Sequence, residues 1–413
     1  MTYDEALGIS VRRSRPDAPV IDRGQGCYLF DVQGKAYLDM TGGSGAVNLG
    51  HQRPEVVETL QRQAQRLIHT GWNMDGVHRH AMIERLSNLL PYREASVMGA
   101  VTGAEAIEVA QKLARAKTGR DRILYFEDSF HGKTQGALSI TSNRQFRAHL
   151  VANLSGYPSL PLADVRHPTA DAAAFGCMLA ERLAALRAAG ELPAAAIIEP
   201  IQAAEGIYEI PRPLLGQLIA VCRDYGVISI FDEIYTGMGR TGAPFVANRE
   251  LTPDLMVIGK SLGNGLPIAA VVGDPALMAG LGYAEHSSTF TFMPLACAVA
   301  CTVLDIHIAE RPWDRASRVG TLLIDQLRTL ATGDPRIGGI RGRGLMLAFD
   351  VAGSSPSLAS QLGRRLEAHG VLVRTGGRTG GTVKLTPPLS LSTSQVDEFM
   401  TALTHALREV ERP

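Results

Sequence analysis

The chain has 413 residues, 45% of them apolar, with 41 basic and 41 acidic side chains and so no formal net charge. That length allows roughly two or three domains, and the balanced charge implies no basic face for nucleic acid or an anionic membrane. Cys27, Cys177, Cys222, Cys297 and Cys301 are scattered, with no C-x-x-C and no zinc spacing, which reads as reduced core thiols of a cytoplasmic protein without a metal site. The opening MTYDEALGISVRRSRP lacks the apolar stretch of a secretory signal. No apolar run reaches the roughly 18 to 20 residues of a membrane span.

In chain order, residues 26–31 and 36–40 read as a hairpin turned at Gly34. TGGSGAVNLGHQRP (41–54) has neither G-x-G-x-x-G nor a buried strand before it. It reads as a tight bend that lets another group come close. Pro54 opens a helix with Val56, Val57, Leu60, Ala64, Leu67 and Ile68 at helical spacing. A loop holding Trp72 follows, readable equally as packing or as a binding platform. RHAMIERLSNLL is a helix ending before Pro91.

From Val97 onward, apolar strand-like runs alternate with helices. Residues 122–128, 194–200, 227–233, 255–261 and 269–273 read as strands, and the stretches ending at Gly119 and Gly226 as helices. This alternation predicts an α/β fold with a mostly parallel sheet. Beyond about residue 306, IRGRGLMLAFD, GVLVRT and VKLTPP read as strands of a smaller α+β domain. The expected division is 1–50 as an N-terminal segment of the small domain, 51–305 as the large domain and 306–413 as the C-terminal small domain.

Two of these strands end in an ionisable residue: VISIFD in Asp232 and LMVIGK in Lys260, 28 positions apart. Buried charges are costly without partners, and sites in such sheets lie beyond the carboxyl ends of the strands. Asp232 could pair with a protonated ring nitrogen and Lys260 could form a Schiff base. Gly103 and Ala104 open a helix whose first N–H groups suit a phosphate, although they are also an ordinary helix start. Phe130, in FHG, could stack on a flat ring or fill a core. SSTF (287–290) offers hydroxyls. Together these describe a pyridoxal phosphate site.

The chain resembles class III aminotransferases of fold type I, the ω-aminotransferase group. The resemblance runs through NLGHQRP, TGAEAIE, SFHGKTQGALSIT, IIEPIQ, FDEIYTGMGRTG, PDLMVIGKSLGNGLP, SSTFTFMPLAC and RGRGLM. It implies Lys260 as the residue that holds the cofactor and moves the proton, and Asp232 as the acid on the pyridine nitrogen. It implies Gly103 and Ala104 as phosphate donors, and Phe130 and Ile234 as covers of the two ring faces. His131 is taken as a further cofactor contact, and Thr289 as a phosphate ligand reaching into the neighbouring subunit of a homodimer. The expected reaction passes an amino group from a small-molecule amine donor, with a terminal or other non-α amine, to a keto acid such as 2-oxoglutarate or pyruvate. An aminomutase or decarboxylase of the same fold is the alternative, and a non-catalytic binding protein a third.

Four places depart from the family pattern. Tyr235 stands where Gln is common. Glu205, in AAEG, is displaced by one position from the usual gating glutamate. Lys384 replaces an arginine before Pro-Pro and loses its bidentate fork. Thr291, Phe292 and Met293 replace Gly-Gly-Asn. Trp72 sits where family loops line the substrate pocket, so Trp72, Glu205, Tyr235 and Lys384 are the expected substrate contacts.

Overall fold

The computed structural model describes residues 18–143, 146–147, 159–160, 171–282 and 284–410; the opening stretch read for a signal lies outside them. An antiparallel meander comes first: β1 (Ile21–Gln25), β2 (Tyr28–Asp31) and β3 (Ala36–Asp39), with Gly34 at φ 84° in the second turn. The glycine-rich bend after β3 keeps positive φ from Gly42 to Gly45. A Cβ on Gly42 would lie 2.5 Å from the Thr386 carbonyl oxygen, and one on Gly45 2.6 Å from the Tyr235 ring. The bend therefore does admit close neighbours.

Helix α1 (Pro54–Ala64) stops short of its predicted end. Leu67 and Ile68 lie beyond it, 44% and 52% exposed. The Gln63 amide donates to the Leu67 carbonyl, and the Ile68 carbonyl accepts from Leu295 N–H, so the chain has already turned away. Helix α2 (Val77–Ser87) follows.

Seven strands form the central sheet: β4 (Ser96–Ala100), β5 (Ile123–Phe126), β6 (Ser159–Leu160), β7 (Ala195–Ile198), β10 (Ile228–Asp232), β11 (Leu255–Ile258) and β12 (Ala269–Gly273). Their order is β4-β12-β11-β10-β7-β5-β6, and β12 alone runs against the others. The short hairpin β8 (Ile201–Gln202) and β9 (Tyr208–Glu209) stands apart. Every residue of β5, β7 and β11 is buried, as strands covered on both faces require. Alternate side chains go to opposite faces. Ile123, Ile197, Ile230 and Val257 pack with Ile107 and Leu113 of α3 (Gly103–Thr118). Leu124, Ile198, Phe231 and Ile258 pack with Leu218 of α5 (Arg212–Tyr225) and Leu304 of α6 (Pro294–Glu310). The intervening helix α4 (Ala172–Ala188) and α6 were not anticipated, because neither shows a one-sided apolar stripe: both are alanine-rich and apolar nearly all round.

The C-terminal part adds α7 (Pro312–Gly333), α8 (Pro356–Ala368) and α9 (Thr393–Glu409) against a sheet of order β13-β14-β17-β16. IRGRGLMLAFD is two strands, not one: β13 (Ile337–Arg343) and β14 (Met346–Val351) turn at Gly344, φ 57°. GVLVRT also divides. β15 (Val371–Leu372) pairs with β3, whereas β16 (Arg374–Gly376) pairs with β17 (Thr382–Leu385). Leu38 and Met40 share one core with Val371, Leu385 and Phe399, so the N-terminal meander is packed into the C-terminal part. Cys177 is exposed, against the expectation of a core thiol, because it lies on the outer side of α4; the other four cysteines are buried. Among the described residues no helix is long and apolar enough to cross a membrane.

Candidate active site

Three adjacent strands deliver ionisable residues to one place. β10 ends in Asp232, β11 is followed after Gly259 by Lys260, and β7 is followed by Glu199. All three line a cavity of about 540 Å³. Ten of the twelve residues singled out from the sequence line it too: Gly103, Ala104, Phe130, His131, Asp232, Ile234, Lys260, Glu205, Tyr235 and Lys384. Trp72 and Thr289 do not; Trp72 is half-buried in its loop and Thr289 is exposed.

Asp232 is buried and shares a 2.7 Å hydrogen bond with His131 Nδ1. Its other oxygen accepts from Ile234 N–H at 3.1 Å. Nε2 of His131 is buried with no partner among the described residues. Glu199 accepts from the backbone N–H groups of Phe130 (2.8 Å) and Ala203 (3.1 Å). Burial first, opposed by His131 and reinforced by Asp232, raises its carboxyl to about 7. Lys260 takes a left-handed backbone, φ 44°, as the chain leaves the sheet. Its side chain opens onto the cavity but is enclosed by protein, and this burial lowers its amine; Asp232 and Glu199 oppose the effect and Arg374 adds to it. Nζ lies 4.2 Å from the centroid of the Tyr235 ring.

The N-terminus of α3 forms another wall. Thr102 caps it by accepting from Glu105 N–H, and the first N–H groups of a helix have no partner within it. Gly103 permits the close approach: a Cβ there would sit 2.9 Å from Ile234 Cδ1. Opposite stands a polar wall from β16 and β17. Arg374 and Lys384 face each other directly in the register. Lys384 donates to the Ala204 carbonyl (2.8 Å), and burial first, then Arg374, lowers its amine to about 8. Arg374 donates to Ser44 Oγ (2.9 Å) and has no carboxylate partner among the described residues. Glu205 accepts from Asn143 (2.8 Å) and pairs with neither cation.

Glu199, Arg374, Asn143 and Ser44 line the cavity and were not singled out from the sequence. Glu199 was discoverable, since it closes the apolar run AAAIIEP as Asp232 closes VISIFD. Arg374 carried no local signal, because its place depends on the split of GVLVRT between two sheets.

The cavity suits pyridoxal phosphate. It gathers an amine, a buried carboxylate backed by a histidine with an unused nitrogen, an aromatic and an aliphatic side chain, and a helix N-terminus. Its volume is that of a small-molecule site.

A family model described as aminotransferase class-III matches residues 10–407. The acetylornithine aminotransferase of Methanosarcina mazei is 33% identical, over 94% of this chain and 91% of its own. The 2-aminoadipate transaminase of Pseudomonas putida is also 33% identical, over 94% and 96%. Among solved structures, a PLP-bound amine transaminase from an uncultivated Pseudomonas species superposes with a TM-score of 0.88 at 27% identity, covering 97% of this chain and 98% of that one. The chain belongs to the class III aminotransferases, fold type I enzymes that transfer amino groups with pyridoxal phosphate.

Proposed function

We propose that this aminotransferase moves a terminal or other non-α amino group between a carboxylate-bearing donor and a keto acid such as 2-oxoglutarate or pyruvate. The observation that carries the reading is the cavity itself, with Asp232 and Lys260 on one side and the cations Arg374 and Lys384 on the other. Relatives named acetylornithine, ornithine and 4-aminobutyrate aminotransferases support it.

Gly103 and Ala104 would hold the cofactor's phosphate, Phe130 and Ile234 its ring faces, and Asp232, oriented by His131, its ring nitrogen. Bound there, pyridoxal phosphate supplies an electron sink for the charge left when a proton leaves the donor's amine-bearing carbon. Lys260 would take up and give back that proton at Nζ. Glu199 fixes the Phe130 and Ala203 backbones around it. Arg374 offers a bidentate fork to a substrate carboxylate.

A homodimer belongs to this reading. Leu67, Ile68, Met74, Val77 and Phe290 are exposed, the 67–77 and 290–295 segments touch, and Thr289 sits among them. Such an apolar surface fits a second copy of the chain, with Thr289 completing its site. The large part is taken as 51–305 and the small as 1–50 with 306–413. A cytoplasmic location rests on the free cysteines.

A panel of ω-amino acids, diamines, β-amino acids and amino sugars tests the function. A productive donor should convert the cofactor's absorbance to that of its aminated form, a keto acid should restore it, and Lys260→Ala should abolish both changes. Release of CO2, or migration of the amine within one molecule, would sink the reading in favour of a decarboxylase or aminomutase.

A further inference from the structure

Tyr235 lies beneath the lysine, held at its hydroxyl and along one ring edge. Its O–H donates to Thr386 Oγ1 (3.1 Å), whose own hydrogen goes to the Thr41 carbonyl (2.8 Å). Gly45, at φ 75°, presses on the ring where any Cβ would collide. These contacts fix the ring's place, and it presents its face to Lys260 Nζ, 4.2 Å from the centroid. Among the described residues no carboxylate comes within ion-pair distance of Nζ. The charged groups acting on it are Asp232 and Glu199, which favour the ammonium, and Arg374, which opposes it. Arg240, Arg374 and Asp39 act on the tyrosine itself. A cation within about 6 Å of an aromatic face is stabilised, more so when desolvated.

We infer that Tyr235 is a positioning residue for Lys260: its ring face supports a positive charge at Nζ, whether the amine is free or holds the cofactor, and so sets how tightly Nζ keeps its proton. The inference rests on Lys260 being the amine that anchors the cofactor. A lysine that must take up a proton and give it back needs a defined place to hold it. Burial alone would make the proton too easily lost, and the ring face offsets part of that without adding a carboxylate that would fix the amine elsewhere.

The test is a pH titration of the cofactor's visible band in the holoenzyme, which reads protonation at Nζ without any donor. Tyr235→Leu should lower the midpoint by about 0.4 to 1.5 pH units. Tyr235→Phe, which keeps the ring and drops the hydroxyl, should stay within a few tenths of a unit of the parent. Tyr235→Gln repeats the ring-removal arm should the leucine variant fail to retain cofactor. A midpoint unmoved by ring removal overturns the inference, as does a Phe variant that shifts as far as Leu, since the hydroxyl would then be responsible. A chain that binds cofactor but fails to transaminate still gives a readable midpoint, so this outcome is separable from that of the functional reading.

Discussion

Arg374 and Lys384 stand directly opposite one another across β16 and β17. Like charges at such a pair are destabilising. Glu205, engaged with Asn143, forms an ion pair with neither, and its charge and that of Glu199 only partly offset the effect of burial and Arg374 on Lys384. A substrate carboxylate held against that wall would offset the repulsion. Arg374→Ala should therefore lower kcat/KM for carboxylate-bearing donors about 10- to 100-fold, and more than for neutral amines. Lys384, lowered to about 8, is charged below that pH and loses its charge as pH rises through it. The preference for carboxylate-bearing over neutral donors should therefore weaken above about pH 8, as steady-state kinetics on both classes across pH would reveal. Lys384 itself, read from the sequence as the replacement for an arginine, is tied to the Ala204 carbonyl, and a guanidinium stands beside it on the same wall at Arg374, ten positions earlier.

At the scale of elements, close backbone contacts hold the C-terminal part to the site. Gly320 in α7 lies so near the β13–β14 turn that a Cβ would be 1.9 Å from the Gly344 carbonyl oxygen. Gly344 in turn is pressed against the backbone of Arg240 and Thr241, which follow strand β10. Backbone cannot yield as a side-chain tip can. Gly320→Ala should destabilise the holoenzyme by about 1–3 kcal/mol, visible as a lower Tm. What could be read in the sequence divides along the same line. Central strands were legible because strands buried on both faces are written as short apolar runs, and ILYF, AAII and LMVI need no partner to be recognised. The fate of GVLVRT was not legible. Nothing local distinguishes one six-residue strand from two short ones that pair with different sheets. Leu67 and Ile68 keep helical spacing with α1, yet the Gln63 side chain and the Leu295 N–H draw the chain away.

At the scale of the whole molecule, five of the eight exposed large apolar side chains among the described residues, Leu67, Ile68, Met74, Val77 and Phe290, lie on the 67–77 and 290–295 segments, with Val77 76% and Phe290 58% exposed. If a second copy covers this patch, Phe290→Asp should shift the sedimentation profile towards monomer and lower activity together with cofactor retention. An unchanged sedimentation profile would remove the patch from the interface.

The division of residues 371–376 between two sheets has a consequence for how this enzyme can change. The wall formed by Arg374, Thr375, Gly376 and Gly377 is not a free loop. One end is fastened through β15 to β3 at the start of the chain, and the other through β17 to the C-terminal core. The side chains of Arg374 and Thr375 can be exchanged while the backbone beneath them keeps its course, whereas Gly377, at φ 82°, has no room for a Cβ. Substrate range could drift here by single substitutions, with no insertion or deletion, and the strand ends that carry Asp232 and Lys260 across the cavity would not register the change.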